Sequence, residues 1–141
     1  VSRDGRVVVG RAQDGVTFGG AAFRWTQETG MTDLGRLRPS DDEVIARAAS
    51  ADGSVVVGNS RNTGGFGTAF VWQNGVMSEL PRLGGQTGAT SVTGDGRYVG
   101  GGADVVGAVI WDTLTGTART GLGFMNVTAL SDDARTAVGA G

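Results

Sequence analysis

The chain has 141 residues, 39% of them apolar and 27 of them glycine against 2 prolines, with a net charge of −2. That is the size of one ordinary domain with enough apolar content for a core, and its glycines lack the three-residue period of collagen. All 12 basic residues are scattered arginines, which leaves no electrostatic footprint for nucleic acid or anionic lipid, and there is no lysine, histidine or cysteine.

Residues 1–37 open with Ser2-Arg-Asp4-Gly5-Arg-Val-Val-Val-Gly10, continue through Ala22-Phe23-Arg24-Trp25 and end after a turn signal at Thr29-Gly30. Residues 38–83 predict four strands, near Val44–Ala49, Ser54–Gly58, Thr68–Trp72 and Val76–Leu80, with Ser50-Ala-Asp52-Gly53 before the second and Asn74-Gly75 before the fourth. Residues 84–123 repeat the order with Thr93-Gly-Asp95-Gly96, Ala108-Val109-Ile110-Trp111 and Thr115-Gly116. Residues 124–141 hold Ser131-Asp-Asp133-Ala134 and stop at Gly141, with Ala134 in place of the glycine and a weaker turn expected there.

The motif starts at residues 2, 50, 93 and 131, spacings of 48, 43 and 38, and the tryptophan motif keeps the same phase, so the chain is a tandem array. The Asp-Gly and Asn-Gly pairs between apolar runs predict two-residue primed turns, each joining antiparallel strands. Val55-Val56-Val57 is apolar on both faces of its strand, which suits a sheet stacked on both sides. The expectation is all-β: tandem four-stranded antiparallel blades of a partial β-propeller. Residues 1–37 form a blade without its first strand, 38–83 and 84–123 complete blades, and 124–141 the first half of another. Closed propellers have about 4–8 blades, so further units of the parent chain or other copies are expected to cover the open faces.

The Ala-Phe-x-Trp motif (Ala22 to Trp25, Ala69 to Trp72) in phase with Ser-x-Asp-Gly-x-x-x-Val-Gly resembles the bacterial HAF-repeat proteins, described as extracellular repeats. The family's leading histidine is replaced by Ala21 and Thr68, and the third unit reads Ala108-Val109-Ile110-Trp111. The resemblance implies a propeller-like fold in exported or surface-attached proteins, sometimes beside an autotransporter barrel, and implies no activity. The chain begins at Val1, so any leader or anchor would lie outside it. No apolar run approaches the roughly 20 residues of a membrane span.

Without histidine, cysteine or lysine, the Ser-His-Asp, Cys-His and Ser-Lys arrangements, the phosphate-binding loop and His/Cys metal sites cannot be built from these residues. No enzyme and no cofactor are expected. Asp41, Asp42 and Glu43 are the densest acidic cluster and read as a solvated loop in preference to a glycosidase pair. Asp4, Asp52 and Asp95 read as turn residues, with Gly5, Gly53 and Gly96, in preference to calcium ligands. Trp25, Trp72 and Trp111 read as wedges between blades in preference to a carbohydrate-stacking ladder.

In a four-stranded meander the Asp-Gly turns and the turns after tryptophan share one rim. The variable connections Arg11–Gly20, Asn59–Gly67, Gly102–Gly107, Arg38–Glu43 and Gly84–Gly88 share the other, which makes that rim the candidate binding face. Its candidate contacts are Phe18, Arg38, Asp41, Asp42, Arg61 and Phe66. The functional expectation is a non-catalytic repeat module of an exported or cell-surface protein that binds a glycan or a protein there. A purely structural spacer is the alternative, and a fragment of a propeller hydrolase or lyase with its active site elsewhere is the second.

Overall fold

A computed structural model describes residues 1–13 and 20–141, and those residues form strands and turns without a helix. The strands are β1 (Val7–Ala12), β2 (Ala21–Thr26) and β3 (Gly30–Asp33); β4 (Glu43–Ala49), β5 (Val55–Arg61), β6 (Gly67–Gln73) and β7 (Val76–Glu79); β8 (Thr87–Val92), β9 (Tyr98–Ala103), β10 (Gly107–Asp112) and β11 (Thr117–Arg119); and β12 (Asn126–Leu130) with β13 (Ala137–Ala140). Each group is its own antiparallel meander in sequence order, so the described sheets hold three, four, four and two strands. β5 and β6 reach further toward the loops than the sequence suggests, because Arg61 and Gly67 still pair, and the connection between them shrinks to 62–66.

The turn before each second strand is held by one side-chain device. The buried hydroxyls of Ser2, Ser50 and Thr93, and that of Ser131, accept the backbone N–H five residues on, at 3.0–3.1 Å. Each hydroxyl donates to the carboxylate two residues on, Asp4, Asp52, Asp95 or Asp133, at 2.6–3.1 Å. The same carboxylate oxygen accepts the N–H of Arg6, Ser54, Arg97 or Arg135. These are not the expected two-residue primed turns. The glycine N–H bonds back to the Ser/Thr carbonyl, and only the glycine, not the aspartate, has positive φ. A primed turn needs positive φ at its first central residue as well as, or instead of, its second. Asn74-Gly75 does form one, with φ of 54° and 79°. Ala134 takes φ 56° and keeps the fourth turn closed.

In the second, third and fourth units the first strand bulges opposite a glycine of the second. Register shifts lie between Ala46 and Ala48, Ala89 and Ser91, and Val127 and Ala129, facing Gly58, Gly101 and Gly139. A Cβ on those glycines would overlap the carbonyl oxygens of Ile45, Gly88 and Asn126. The glycine five residues after the positive-φ position of each turn, Gly58, Gly101 or Gly139, is therefore a packing requirement, since only a hydrogen fits beneath the bulge.

Side chains alternate between the two neighbouring sheets. Val56 and Phe70 join Ala22 and Leu34 in a cluster facing the first unit, while Val55, Val57 and Ala69 join Val99, Val109 and Trp111 facing the third. A third cluster, with Ala108, Ile110, Val127 and Ala134, joins the third unit to the fourth. Trp111 is fully buried and its Nε1–H donates to the Pro81 carbonyl at 3.0 Å. Trp72 is half-buried with the Arg24 guanidinium 5.8 Å from its ring. Trp25, in the equivalent place, is 38% exposed. The wedge role expected of all three depends on having a preceding sheet.

The four turns also meet one another. Asp4 N–H bonds to the Ala51 carbonyl, Ala51 N–H to the Gly94 carbonyl, and Gly94 N–H to Asp132 Oδ1, at 2.9–3.4 Å. Arg3 completes the circuit with an ion pair to Asp132 at 3.0 Å. The residues between Ser/Thr and Asp in the four units thus converge on a common axis.

Gly53 and Gly96 sit against Val7 and Val55 of the preceding unit, whereas Gly5 has open space. Gly5→Ala is expected to cost only the left-handed strain, about 1–2 kcal/mol, and Gly53→Ala that strain plus an overlap of about 1–3 kcal/mol. Urea denaturation of both variants measures the difference. Trp111→Ala should cost about 3–5 kcal/mol, and Trp25→Ala far less, on the same assay.

Candidate functional site

The loop rim is the side on which the sequence places recognition, and the structure divides its residues into two groups. Arg38 and Asp41 work internally. Asp41 is 1% exposed, which corrects the expectation of a solvated acidic loop. Its carboxylate accepts the buried Ser60 hydroxyl at 2.7 Å and lies 3.9 Å from the Arg38 guanidinium, and its carbonyl accepts Arg36 at 2.7 Å. Arg38 also donates to Thr68 Oγ1 at 3.2 Å and to Glu79 at 3.0 Å. Together these bonds fasten the connection between the first two units onto β5, β6 and β7, and a carboxylate so enclosed is stabilised by its donors.

Arg61, Asp42 and Phe66 stay at the rim. Arg61 is ion-paired with Glu43, which also reaches Arg11 at 3.3 Å. Asp42 is half-buried, and its N–H bonds to the Arg61 carbonyl. Phe66 is 42% exposed beside Asn62, whose side chain caps the Phe66 N–H. Phe18 lies outside the described residues.

Two cavities are relevant. One of about 710 Å³ lies on the turn rim between the second and third units, opposite the expected face, with Gln73, Asn74, Arg97, Asp112 and Leu114 among its lining. Two of its charged groups are paired with each other: Arg97 grips Asp112 through two bonds of 3.1 and 2.9 Å. Arg97, as the largest cause, pulls the Asp112 carboxyl from 3.8 to about 2. The turn carboxylates are also lowered, chiefly by the Ser2 hydroxyl for Asp4, the Ser54 hydroxyl for Asp52, the Arg97 N–H for Asp95 and the Ser131 hydroxyl for Asp133. These oxygens are committed to their own turns. Among the described residues no three acidic side chains gather as a metal site would require.

The other cavity, of about 430 Å³, is lined by residues of the inner strands β4, β8 and β12 together with Asn59 of β5, Gly102 and Ala103 of β9, and Asp104, and so lies near the axis on the side of the loop rim. Arg47 and Thr90 are the residues at the bulges of β4 and β8, turned away from the sheet by the irregular register. Arg47 Nε donates to Asn59 Oδ1 at 3.0 Å. Asn126 Oδ1 is buried there without a hydrogen-bond partner, an arrangement that favours a donor arriving from a bound molecule. Asp104 also lines the cavity, so it presents a cation, an anion and an open acceptor, groups suited to holding a polar molecule.

The sequence reading missed Arg47, Thr90 and Asn126. For the first two a signal was present: Arg47 and Thr90, like Thr128, each stand three residues before the Ser/Thr of the turn, a polar position that recurs in phase with the motif.

Stacked four-stranded meanders about a common axis define this chain as a partial β-propeller. It is similar to a solved protein assigned as TolB from Agrobacterium tumefaciens, with 15% identity and a TM-score of 0.64 over 85% of this chain and 43% of that one. It is also similar to TolB from Acinetobacter baumannii, with 17% identity and a TM-score of 0.59 over 84% of this chain and 30% of that one. The chain spans less than half the length of either structure, and the likeness concerns fold. No protein-family model and no curated protein sequence matches. Among the described residues no helix is long and apolar enough to cross a membrane.

Because Asp112 and the turn aspartates are depressed in the folded state, their stabilisation is complete above the unfolded value of 3.8 and is lost as pH falls through their lowered folded values, about 2 for Asp112. The melting temperature should be flat above about pH 5 and drop between about pH 4 and 2. Asp112→Asn should shallow that drop, as read by circular dichroism melts across pH.

Proposed function

We propose that this chain is a non-catalytic recognition segment of an exported or cell-surface bacterial protein, taking a glycan or a protein at the loop rim and the axial opening beneath it. The observation that carries this reading is the axial cavity, where Arg47 and the unpartnered Asn126 Oδ1 lie below an exposed Arg61 and Phe66. Polar groups converging in a concavity on a rigid scaffold are the usual form of a binding site. The phase-locked motifs support reading the array as HAF-type repeats, and the exported location follows from that resemblance. The spacer reading has one observation in its favour: Arg38 and Asp41, two of the rim's charged groups, are consumed in fastening the chain to itself.

A glycan microarray and a panel of acidic and neutral peptides, probed with the purified chain, test the proposal. Binding that falls at least about tenfold, or about 1.4 kcal/mol, in Arg47→Ala and Arg61→Ala with an unchanged melt is the expected outcome. Binding indifferent to both substitutions would transfer the role to another surface, and silence across the panel would favour the spacer.

A further inference from the structure

The residue just before each tryptophan faces the next unit, and the two inner interfaces fill that place differently. Between the first and second units it is Arg24. Its Nε donates to the Gly53 carbonyl at 2.9 Å and its guanidinium lies 5.8 Å from the Trp72 ring, so a side chain of the protein itself occupies the groove at the turn rim. Between the second and third units the equivalent residue is Val71, a short apolar side chain in place of a long cationic one. The cavity of about 710 Å³ lies there, with Val55, Val71, Leu80 and Pro81 in its lining. Gly96, the counterpart of Gly53, lines it too. The Gly96 carbonyl has only the Thr113 hydroxyl near it among the described residues, at 3.4 Å, and that hydroxyl has a closer acceptor in the Arg97 carbonyl at 2.7 Å. A hydroxyl has one hydrogen to give, so the acceptor that holds Arg24 in one groove lacks a comparable donor in the other. Val76 and Leu114, 61% and 74% exposed at the same cavity, offer apolar cover for the stem of a long side chain. The charges of the wall are unequal. Arg97 is paired with Asp112, and Glu79 with Arg38 and Arg82. Asp95, bonded through Oδ1 to the Thr93 hydroxyl and the Arg97 N–H, is the carboxylate left without a cation.

We propose that this groove binds a guanidinium group carried by another molecule, in the place that Arg24 occupies one unit earlier. The guanidinium donates to the Gly96 carbonyl and is attracted by Asp95, while its stem packs on the apolar side chains of the wall. The volume falls within the range of about 300–1,000 Å³ common to ligand sites and leaves room for more than the one side chain. A planar group with several donors is favoured over an ammonium, because the acceptors are a carbonyl and a carboxylate at separate places on the wall. The site is on the turn rim, opposite the loop rim, and does not depend on what binds there.

The indole N–H signals of Trp25, Trp72 and Trp111 in nitrogen–proton NMR spectra provide the readout. Trp111 reports on the groove because its Nε1–H bonds to the carbonyl of Pro81 in the cavity wall. Titration with free arginine and, separately, with a blocked glycine–arginine–glycine peptide should shift the Trp111 signal saturably and leave that of Trp25 in place. Lysine and the corresponding lysine peptide should need at least about tenfold higher concentration. A response to the peptide but not to the free amino acid assigns the group to a polypeptide partner, and an equal or stronger response to free arginine assigns it to a small molecule. Val71→Arg should fill the groove from within and abolish the response while the melting temperature holds or rises. Should that variant fail to fold, Arg24→Val empties the matching groove between the first two units, and the Trp72 signal should then follow the same titrations. The proposal is overturned if neither arginine compound shifts Trp111 saturably or if lysine serves equally well. A Val71→Arg chain that still responds, or an Arg24→Val chain whose Trp72 signal stays fixed, overturns it too.

Discussion

The hydroxyl–carboxylate clasp at the head of each second strand is the interaction from which the architecture follows. One buried Ser or Thr oxygen closes the hairpin across five residues, and the aspartate it holds covers the remaining turn N–H. The geometry forces the fourth residue of the turn into the left-handed region, and a glycine there has no side chain to keep the neighbouring unit away. The first residue of the preceding second strand, Val7 or Val55, moves into that space. A local hydrogen-bonding pattern thus sets the spacing between whole sheets, and it brings the four turns close enough to bond to one another around the axis.

Packing between sheets then follows from alternation. Each strand sends successive side chains to opposite neighbours, so a run such as Val55-Val56-Val57 is buried entirely while dividing itself between two clusters. Trp111 and Trp25 show how far burial depends on context: the same motif position is sealed in one unit and open in another. Nearest-neighbour contact is the general property of stacked repeats, and here it makes the middle units the firm part of the array.

The fold was largely legible because its strongest signals are periodic. Four copies of the turn motif and three of the tryptophan motif, in one phase, locate the sheets and nearly all of their strands. The primed-turn assignment failed at Asp-Gly because the dipeptide suits both geometries, and the Ser/Thr two residues earlier, which decides between them, acts through its side chain. The candidate site was less legible. Asp41 looks like a surface charge in sequence, and only the fold reveals that Ser60 and Arg38 enclose it. Arg47 and Asn126 come together across separate units, a juxtaposition that no local pattern encodes.

The clasp and the bulge glycine together fix only four positions in each unit: a hydroxyl, a carboxylate, a residue tolerant of positive φ and a residue without a side chain. Almost everything else need only be apolar on the correct side, and Ala134 shows that even the third requirement bends. Few positional demands, repeated, allow a sequence to drift a long way while its shape stays put. Agreement in fold at 15–17% identity with the solved propellers is what such a sparse code permits, and it leaves the inner-strand and loop positions free to change without disturbing the sheets beneath them.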